Sequence, residues 1–249
     1  DLTGERASLN SSSYWESKEF SIIEKADVVL TVSSTEASLI KKKNPGTHVE
    51  VAPVFVYPFK KGEDVNNNVT GKRDLLFVGG YDHKPNVDAA LWLVKSVMPI
   101  IWNEKNDVRV ILCGSNPPEE LLSLQSKRCI VTGYVSDYIL DCIYSSVRMC
   151  LIPLRFGAGV KGKVIEAMYH QVPIISTSIG LEGIDGISSL MKSYDSAISF
   201  AHAVLALYDN KQGLERQIFA NYAFIEKKFS EQVAYDLFKR IFDGFEGCR

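Results

Sequence analysis

The stretch LRFGAGVKGKVIEAMYHQVPIISTSIGLEG, residues 154–183, decides the fold and contains the main candidate site. An apolar run predicted as a strand leads into a glycine-rich loop, and a helix carrying Glu166 follows. Loop amides and a helix N-terminus attract anions, and Lys161 and Lys163 would neutralise phosphate charge. Glu166, one turn inside the helix, could accept both hydroxyls of a ribose diol. The pattern predicts a site for a diphosphate joined to a ribose, as in a nucleotide sugar.

The same spacing also fits an ordinary solvated helix start. Glycine-rich turns between a strand and a helix are common in proteins of many functions. Lys163 and Glu166 could form a surface ion pair, because residues three apart are neighbours on a helix. Spacing alone leaves both interpretations open.

The residues of this loop also carry a family resemblance. PLRFGAGVKGKVIEAM followed by PIISTSIGLEGI resembles the donor-binding signature of retaining group 1 glycosyltransferases (family four), which have the GT-B fold. In that family two glutamates flank a seven-residue spacer; the second binds the ribose and the first lies near the donor sugar. Glu166 stands at the second position and Ala158 at the first. Lys163 matches the family lysine, Lys161 stands where many relatives have arginine, and Gln171 stands where a glycine usually lies.

The resemblance extends to LLFVGGYDHKPNVDAALWLVKSVMPII, residues 75–101, which looks like the first strand, glycine loop and helix of the family's C-terminal domain. Gly79 and Gly80 would let the backbone approach the phosphates. Lys84 falls where a second phosphate-binding cation is expected. Many relatives have an arginine at the place of Gly80, so one cation is missing here.

Alternating strands and helices from residue 75 onward predict an α/β fold, with a Rossmann-like parallel sheet covered by helices on both faces. The predicted strands span 75–80, 108–114, 129–135, 147–154 and 173–178. Ligands of doubly wound sheets bind beyond the carboxyl ends of the strands. The candidate donor-binding residues follow those ends: Gly79, Gly80, Lys84, Gly114, Tyr134, Val135, Phe156, Gly157, Ala158, Gly159, Val160 and Glu182. Lys161, Lys163 and Glu166 are the candidate catalytic residues.

Three of these donor-binding candidates have further expected roles. The resemblance implies that the nucleobase rests at Tyr134 and Val135 through backbone contacts, which leaves UDP and GDP equally open. Glu182 could approach the donor or stabilise its turn.

Two helices have predicted caps. Asn86 is the predicted N-cap of the first long helix, whose buried stripe is Val87, Leu91, Val94, Met98 and Ile101. Ser230 is the predicted cap of the last helix.

Four segments are predicted along the chain, which starts at Asp1 and is expected to be a fragment. Residues 1–58 would be the remnant of a second Rossmann-like domain, the N-terminal acceptor domain, and 59–73 a polar linker. Residues 74–228 would bind the nucleotide-sugar donor. Residues 229–249 would form a terminal helix crossing back toward the N-terminal domain. The remnant's strands would have unpaired edges, so we expect them to pack on another copy of the chain, to dimerise, or to fold back on the C-terminal helix.

Composition bounds the partners. The 28 basic and 30 acidic residues give a formal net charge of −2, which disfavours nucleic acid as a partner. The five cysteines lack metal-ligand spacing, and Cys113 and Cys150 lie in apolar runs typical of reduced core thiols. The four histidines are scattered, so no metal site is predicted. These features favour a cytoplasmic protein.

The resemblance implies transfer of a sugar from a UDP-sugar or GDP-sugar to an acceptor hydroxyl, with retention of configuration and without a cofactor. The acceptor would be a glycan or a lipid-linked glycan, with peripheral association at the inner membrane face. The family histidine near the anomeric carbon would belong to the N-terminal domain. Two alternatives remain: a GT-B nucleotide-sugar epimerase, and a nucleotide-binding module without catalysis. Ala158 and Gly80 favour the module, whereas Lys161, Lys163 and Glu166 favour the transferase.

Overall fold

The computed structural model describes residues 2–59 and 69–246, and the chain divides into two units, Asp1–Val54 and Phe55–Arg249. The division lies shortly before residue 58, the predicted end of the N-terminal segment. Most of the linker predicted over 59–73 lies outside the described residues.

The first unit is a small α/β segment. Its elements are α1 (Leu2–Ile23), β1 (Val29–Thr31), α2 (Ser34–Lys43) and β2 (Val49–Val51), and the two strands pair in parallel. Ser33 caps α2, since its hydroxyl accepts the Glu36 N–H at 3.2 Å. Leu30, Val32 and Val51 are 38–45% exposed. Dimerisation through this segment stays a prediction.

A five-stranded parallel sheet organises the second unit. Its strands are β3 (Leu75–Val78), β4 (Val110–Cys113), β5 (Cys129–Gly133), β6 (Met149–Ile152) and β7 (Ile174–Ser176). Their spatial order is β5-β4-β3-β6-β7, so β4 and β5 lie on one side of β3, β6 and β7 lie on the other, and the strand order reverses between β3 and β6. Every residue of β4 and β6 is buried, as expected for a sheet covered on both faces. The predicted parallel α/β sheet is confirmed, and each strand is shorter than its apolar run.

Nine helices are described in the second unit. They are α3 (Lys84–Trp92), α4 (Met98–Glu104), α5 (Glu119–Leu122), α6 (Asp137–Ser146), α7 (Gly162–Tyr169), α8 (Ser178–Leu181), α9 (Ala197–Tyr208), α10 (Lys211–Phe229) and α11 (Glu231–Glu246). Helix α9 is missing from the sequence predictions, because AISFAHAVLALY is apolar on most faces and shows no clear stripe. The predicted Ser230 cap of α11 is confirmed, since its hydroxyl accepts the Val233 N–H at 3.3 Å.

The first long helix differs from its prediction in two ways. A π-helical turn (Leu93–Val97) separates α3 from α4, which rotates the buried stripe. Val94, Met98 and Ile101 are buried as predicted, whereas Val87 and Leu91 are half-buried. The predicted N-cap is wrong: the cap position is His83, and Asn86 lies inside the first turn. Proline near the start of α3 provides the local start signal instead.

Gln171, two residues after the last residue of α7, has a left-handed conformation. Its φ is +55°, and the Val172 N–H donates to the Ala167 carbonyl at 2.9 Å. Glycine adopts this conformation without strain, whereas other residues meet a cost of about 1 kcal/mol. The geometry explains why a glycine suits this position, which the sequence comparison of the motif had singled out.

The outer strands of the sheet each pair with a glutamine side chain. On β5 the Val131 N–H donates to Gln125 Oε1 at 2.8 Å. On β7 the Ile174 N–H donates to Gln217 Oε1 at 3.0 Å, and Gln217 Nε2 donates to the Ile174 carbonyl at 3.0 Å. These side chains satisfy backbone groups that face outward.

Cys113 and Cys150 are buried and form no disulfide, as predicted. Within residues 2–59 and 69–246, no helix has the length and apolar content that a bilayer crossing requires.

Candidate functional site

The candidate residues follow the carboxyl ends of the strands around the point where the strand order reverses, between β3 and β6. Gly79 and Gly80 follow β3, Gly114 follows β4, and the loop 153–161 joins β6 to α7. In a doubly wound sheet, the crevice beside this reversal point is where ligands bind. The topology therefore puts the two glycine-containing loops predicted from sequence on adjacent strands.

Gly79 and Gly114 bring two backbone segments unusually close together. A Cβ atom built on Gly114 would lie 2.0 Å from the Gly79 carbonyl oxygen. The Gly79 N–H also donates to the Cys113 carbonyl at 2.9 Å, so the pairing of β3 with β4 continues into the loops. The turn at Gly79 and Gly80 is thus fixed from below, and Gly80 is exposed.

Asn86 connects this turn to the loop after β6. It is 8% exposed, its Nδ2 donates to the Gly80 carbonyl at 2.8 Å, and its Oδ1 accepts from Lys163 Nζ at 2.5 Å. Because both amide groups are used in this way, the side chain does not cap the helix. Sequence reasoning missed this role; the available signal was a polar residue two positions after Lys84, on the buried side of α3.

The loop between β6 and α7 is anchored at its start. Arg155 forms a bidentate pair with Asp88 on α3, with one hydrogen bond of 2.8 Å from Nε. Gly157 and Gly159 have φ values of +121° and +80°, which glycine adopts readily. Ala158 between them is exposed and supplies no carboxylate.

Lys161 holds the shape of this loop from inside. Its side chain is 9% exposed, and Nζ donates to the carbonyls of Gly159 at 2.5 Å and Gly157 at 3.3 Å. Glu182 Oε2 lies 3.5 Å from the same ammonium. Lys161 therefore stabilises the loop through its carbonyls, and Glu182, from the segment after α8, offsets part of the lysine charge.

Lys163 lies at the start of α7 and points toward the turn after β3. In addition to Asn86, its Nζ lies 4.7 Å from the centre of the Phe77 ring. Burial lowers the pKa of Lys163 to about 8; Lys161 adds to the decrease, whereas Cys150 and Glu166 oppose it. The ammonium is thus held in a poorly hydrated position that an anion would stabilise.

Glu166 lies one turn further along α7 and is half-buried. Tyr144 on α6 donates its hydroxyl to Glu166 Oε2 at 3.2 Å. Burial raises the pKa of Glu166, and the hydrogen bond from Tyr144 opposes that increase. The Tyr144 ring stacks on His170 with centroids 4.5 Å apart. Sequence reasoning missed Tyr144, which has no motif signal and orients the carboxylate from another helix.

The remaining candidates lie at the periphery of these loops. Lys84 begins α3 and is exposed, Phe156 is 47% exposed, and Tyr134 is 77% exposed directly after β5. Val135 and Val160 are half-buried. Lys84, Phe156 and Tyr134 are thus open to solvent, whereas the charged groups of Lys163 and Glu166 are each held by a side chain from another helix.

Chemically, the arrangement combines a half-buried cation, helix amides and an oriented carboxylate on adjacent turns of α7. Such a set can bind an anion and accept hydrogen bonds from hydroxyl groups. Among the described residues, no group of three His, Cys, Asp or Glu side chains is arranged to hold a metal ion.

Similar folds occur in solved structures of glycosyltransferases. S. aureus TarM in complex with Fondaparinux, alpha-GlcNAc-glycerol and UDP is 12% identical, with a TM-score of 0.69 over 91% of this chain and 46% of its own. Pneumococcal O-GlcNAc transferase GtfA in complex with UDP and GlcNAc is 16% identical, with a TM-score of 0.66 over 91% of this chain and 47% of its own. Sucrose-phosphate synthase from Thermosynechococcus elongatus is 17% identical, with a TM-score of 0.64 over 92% of this chain and 61% of its own. These likenesses show the α/β fold of GT-B glycosyltransferases.

Sequence comparison identifies a relative and a family. A Klebsiella pneumoniae protein described as an uncharacterized 44.6 kDa protein in the cps region is 26% identical over 224 residues. The alignment covers 86% of this chain and 55% of the relative, so the chain spans about half the length of that protein. A family model described as glycosyl transferases group 1 matches residues 72–210. That match covers more than half of the chain, which therefore belongs to the group 1 glycosyl transferases.

Proposed function

We propose that the second unit binds a nucleoside-diphosphate sugar and serves as the donor-binding part of a retaining glycosyltransferase of family four. The observation that carries the proposal is the placement of Lys163 and Glu166 on adjacent turns of α7, with the Lys163 ammonium beside the glycine turn after β3. Lys163 reaches Asn86 on α3, and Tyr144 orients Glu166. Complexes of TarM and GtfA with UDP support a nucleotide ligand for this fold.

Each group has a physical role in donor binding. The diphosphate would lie against the α7 amides and the turn at Gly80, where Lys163 and the exposed Lys84 balance its charge. Glu166 would accept the ribose hydroxyls. The nucleobase, of uracil or guanine type, would rest beside the segment that starts at Tyr134. The sugar would extend toward the loop around Ala158 and toward Glu182.

The proposed reaction transfers the sugar to an acceptor hydroxyl. The bond from the anomeric carbon to the phosphate oxygen breaks, and its electron pair leaves with the diphosphate. A bond to the acceptor oxygen forms on the same face, and the proton of the acceptor hydroxyl passes to an oxygen of the departing diphosphate. Lys163 and the α7 amides stabilise the charge on the leaving diphosphate, an electrostatic contribution that grows as the bond breaks. Lys161 would hold the loop in shape, and its charge, which Glu182 partly offsets, would make a smaller contribution.

The cps-region relative supports a proposal for the acceptor and for the place of the reaction. We propose that the acceptor is a growing glycan or a lipid-linked glycan, and that an N-terminal domain of the whole protein selects it. The cps-region description of the Klebsiella relative supports a role in polysaccharide assembly. We place this reaction in the cytoplasm, at the inner face of the membrane, with no cofactor besides the donor.

Calorimetric titration of UDP and GDP into the chain tests the donor site. Glu166→Ala removes the ribose acceptor, and Glu166→Gln keeps its size but removes its charge. Each lost charged contact should cost roughly 1.5–3 kcal/mol, which is about one to two decades in affinity. Glu104→Gln, at the exposed end of α4, is the matched control and should bind like the parent.

Two results would contradict the proposal. Full affinity in both Glu166 variants would contradict the proposed ribose contact. The absence of binding of either nucleotide to the full-length protein would contradict the proposed donor site. We expect the isolated chain to bind donor weakly without turnover. The stereochemistry is checked with the full-length protein, by NMR of the anomeric proton in the first product.

A further inference from the structure

Asn86 joins the two loops that frame the candidate site. Its side chain is 8% exposed, and both ends of its amide are used. Nδ2 donates to the carbonyl of Gly80 after β3, and Oδ1 accepts from Nζ of Lys163 at the start of α7. One buried amide therefore sets the distance between the glycine turn and the lysine ammonium.

The surroundings of Lys163 make this contact important. The ammonium lies over the face of the Phe77 ring, which adds a cation–π attraction but accepts no classical hydrogen bond. The titratable groups that act on it are Cys150 on β6, Glu166 on its own helix and Lys161 in the loop. Among the hydrogen bonds in the described residues, the Lys163 side chain donates to Asn86.

We propose that Asn86 is a positioning residue, which keeps the Lys163 ammonium charged and directed at the diphosphate without cancelling its charge. The inference rests on the proposed donor-binding function and adds to it the residue that prepares the cation. A neutral amide oxygen stabilises an ammonium through a hydrogen bond and leaves its full charge for the ligand. A carboxylate at the same place would neutralise the cation, and an apolar side chain would leave it without an acceptor.

Two substitutions separate these effects because they move the pKa of Lys163 in opposite directions. Asn86→Leu removes the acceptor, so the pKa of Lys163 falls. Asn86→Asp keeps the shape and adds an opposite charge, so the pKa rises. The pKa is read from the pH dependence of acetic anhydride labelling at Lys163, measured by mass spectrometry. Asn103→Leu and Asn103→Asp, at an exposed position of α4, are the matched controls.

Nucleotide binding provides the second measurement, with UDP and GDP as the probes. Both Asn86 variants should bind about tenfold more weakly than the parent at pH 8, the effect of one lost charged contact. The loss in Asn86→Leu should shrink at pH 6, where Lys163 regains its proton. The loss in Asn86→Asp should persist at pH 6, because the added carboxylate still balances the ammonium.

The outcomes distinguish this inference from the proposed function. Opposite shifts of the labelling midpoint, with Asn103 variants unchanged, support the positioning role. An unchanged midpoint in both folded Asn86 variants overturns it, whatever the nucleotide affinity. If Asn86→Leu fails to fold, the isosteric Asn86→Asp decides alone through the rise or constancy of its midpoint. If the labelling midpoint of Lys163 shifts as expected but neither nucleotide binds to the full-length protein, the proposed donor site is overturned instead.

Discussion

Lys163→Met is expected to weaken UDP or GDP binding by about one to two decades at pH 7 while stabilising the ligand-free protein. Methionine has a similar length and needs no hydration, so the cost of burying an ammonium disappears. We expect the free energy of unfolding to rise by about 1–2 kcal/mol, less than the pKa decrease alone implies, because Asn86 loses its hydrogen bond. Calorimetry and urea unfolding measure the two effects, with the exposed Lys127→Met as control.

The pKa of Lys163 determines how the stability difference between Lys163→Met and the parent changes with pH. The pKa of Lys163 is lowered to about 8 in the folded protein from an ordinary value of 10.5. Between these values the unfolded chain binds more protons, so the contribution of Lys163 to stability rises with pH through that window. The stability advantage of Lys163→Met should therefore shrink above pH 8, and nucleotide affinity of the parent should fall there. If Lys163→Met bound nucleotide with parental affinity, and its stability difference from the parent did not change with pH, the proposed role of Lys163 would be contradicted.

Gly114→Ala is expected to lower the free energy of unfolding by about 3–5 kcal/mol or to prevent folding. The new methyl group would lie 2.0 Å from the Gly79 carbonyl oxygen and 2.6 Å from its carbon. Both are backbone atoms at the ends of paired strands, so neither can rotate away. Urea unfolding followed by circular dichroism measures the change.

Gly244→Ala is the matched control for this substitution. Gly244 lies in α11, and a methyl group there would meet nothing within 4 Å. Because alanine favours helices, the control should gain about 0.5–1 kcal/mol. Parental stability in Gly114→Ala would show that the two loops are further apart than the structure places them.

The strands and the α7 region were predictable because their signals are local. Runs such as VRMCLIPL are apolar throughout, and a strand buried on both faces requires that composition. The glycines, Lys163 and Glu166 stand in a short motif, so their common position follows once the loop and helix are predicted.

The parts that sequence reasoning missed depend on contacts distant in the chain. Asn86 resembles a helix cap by position, and only its burial against Gly80 and Lys163 turns the amide to another use. Tyr144 reaches Glu166 from a helix 22 residues earlier in the chain. The direction of the Lys161 ammonium, toward the loop carbonyls, is likewise decided by packing, because the sequence shows a cation without its partner.

We expect Gln125 and Gln217 to lower the tendency of this molecule to aggregate at high concentration. An open sheet border is a template on which another chain can add a strand and start an aggregate. Here glutamine side chains hydrogen-bond to outward-facing backbone groups of the outer strands. Gln125 makes one such bond on β5 and Gln217 makes two on β7, so these groups are not available to an incoming strand. The sheet can therefore remain rich in Ile, Leu and Val without offering those groups as a seed for intermolecular growth.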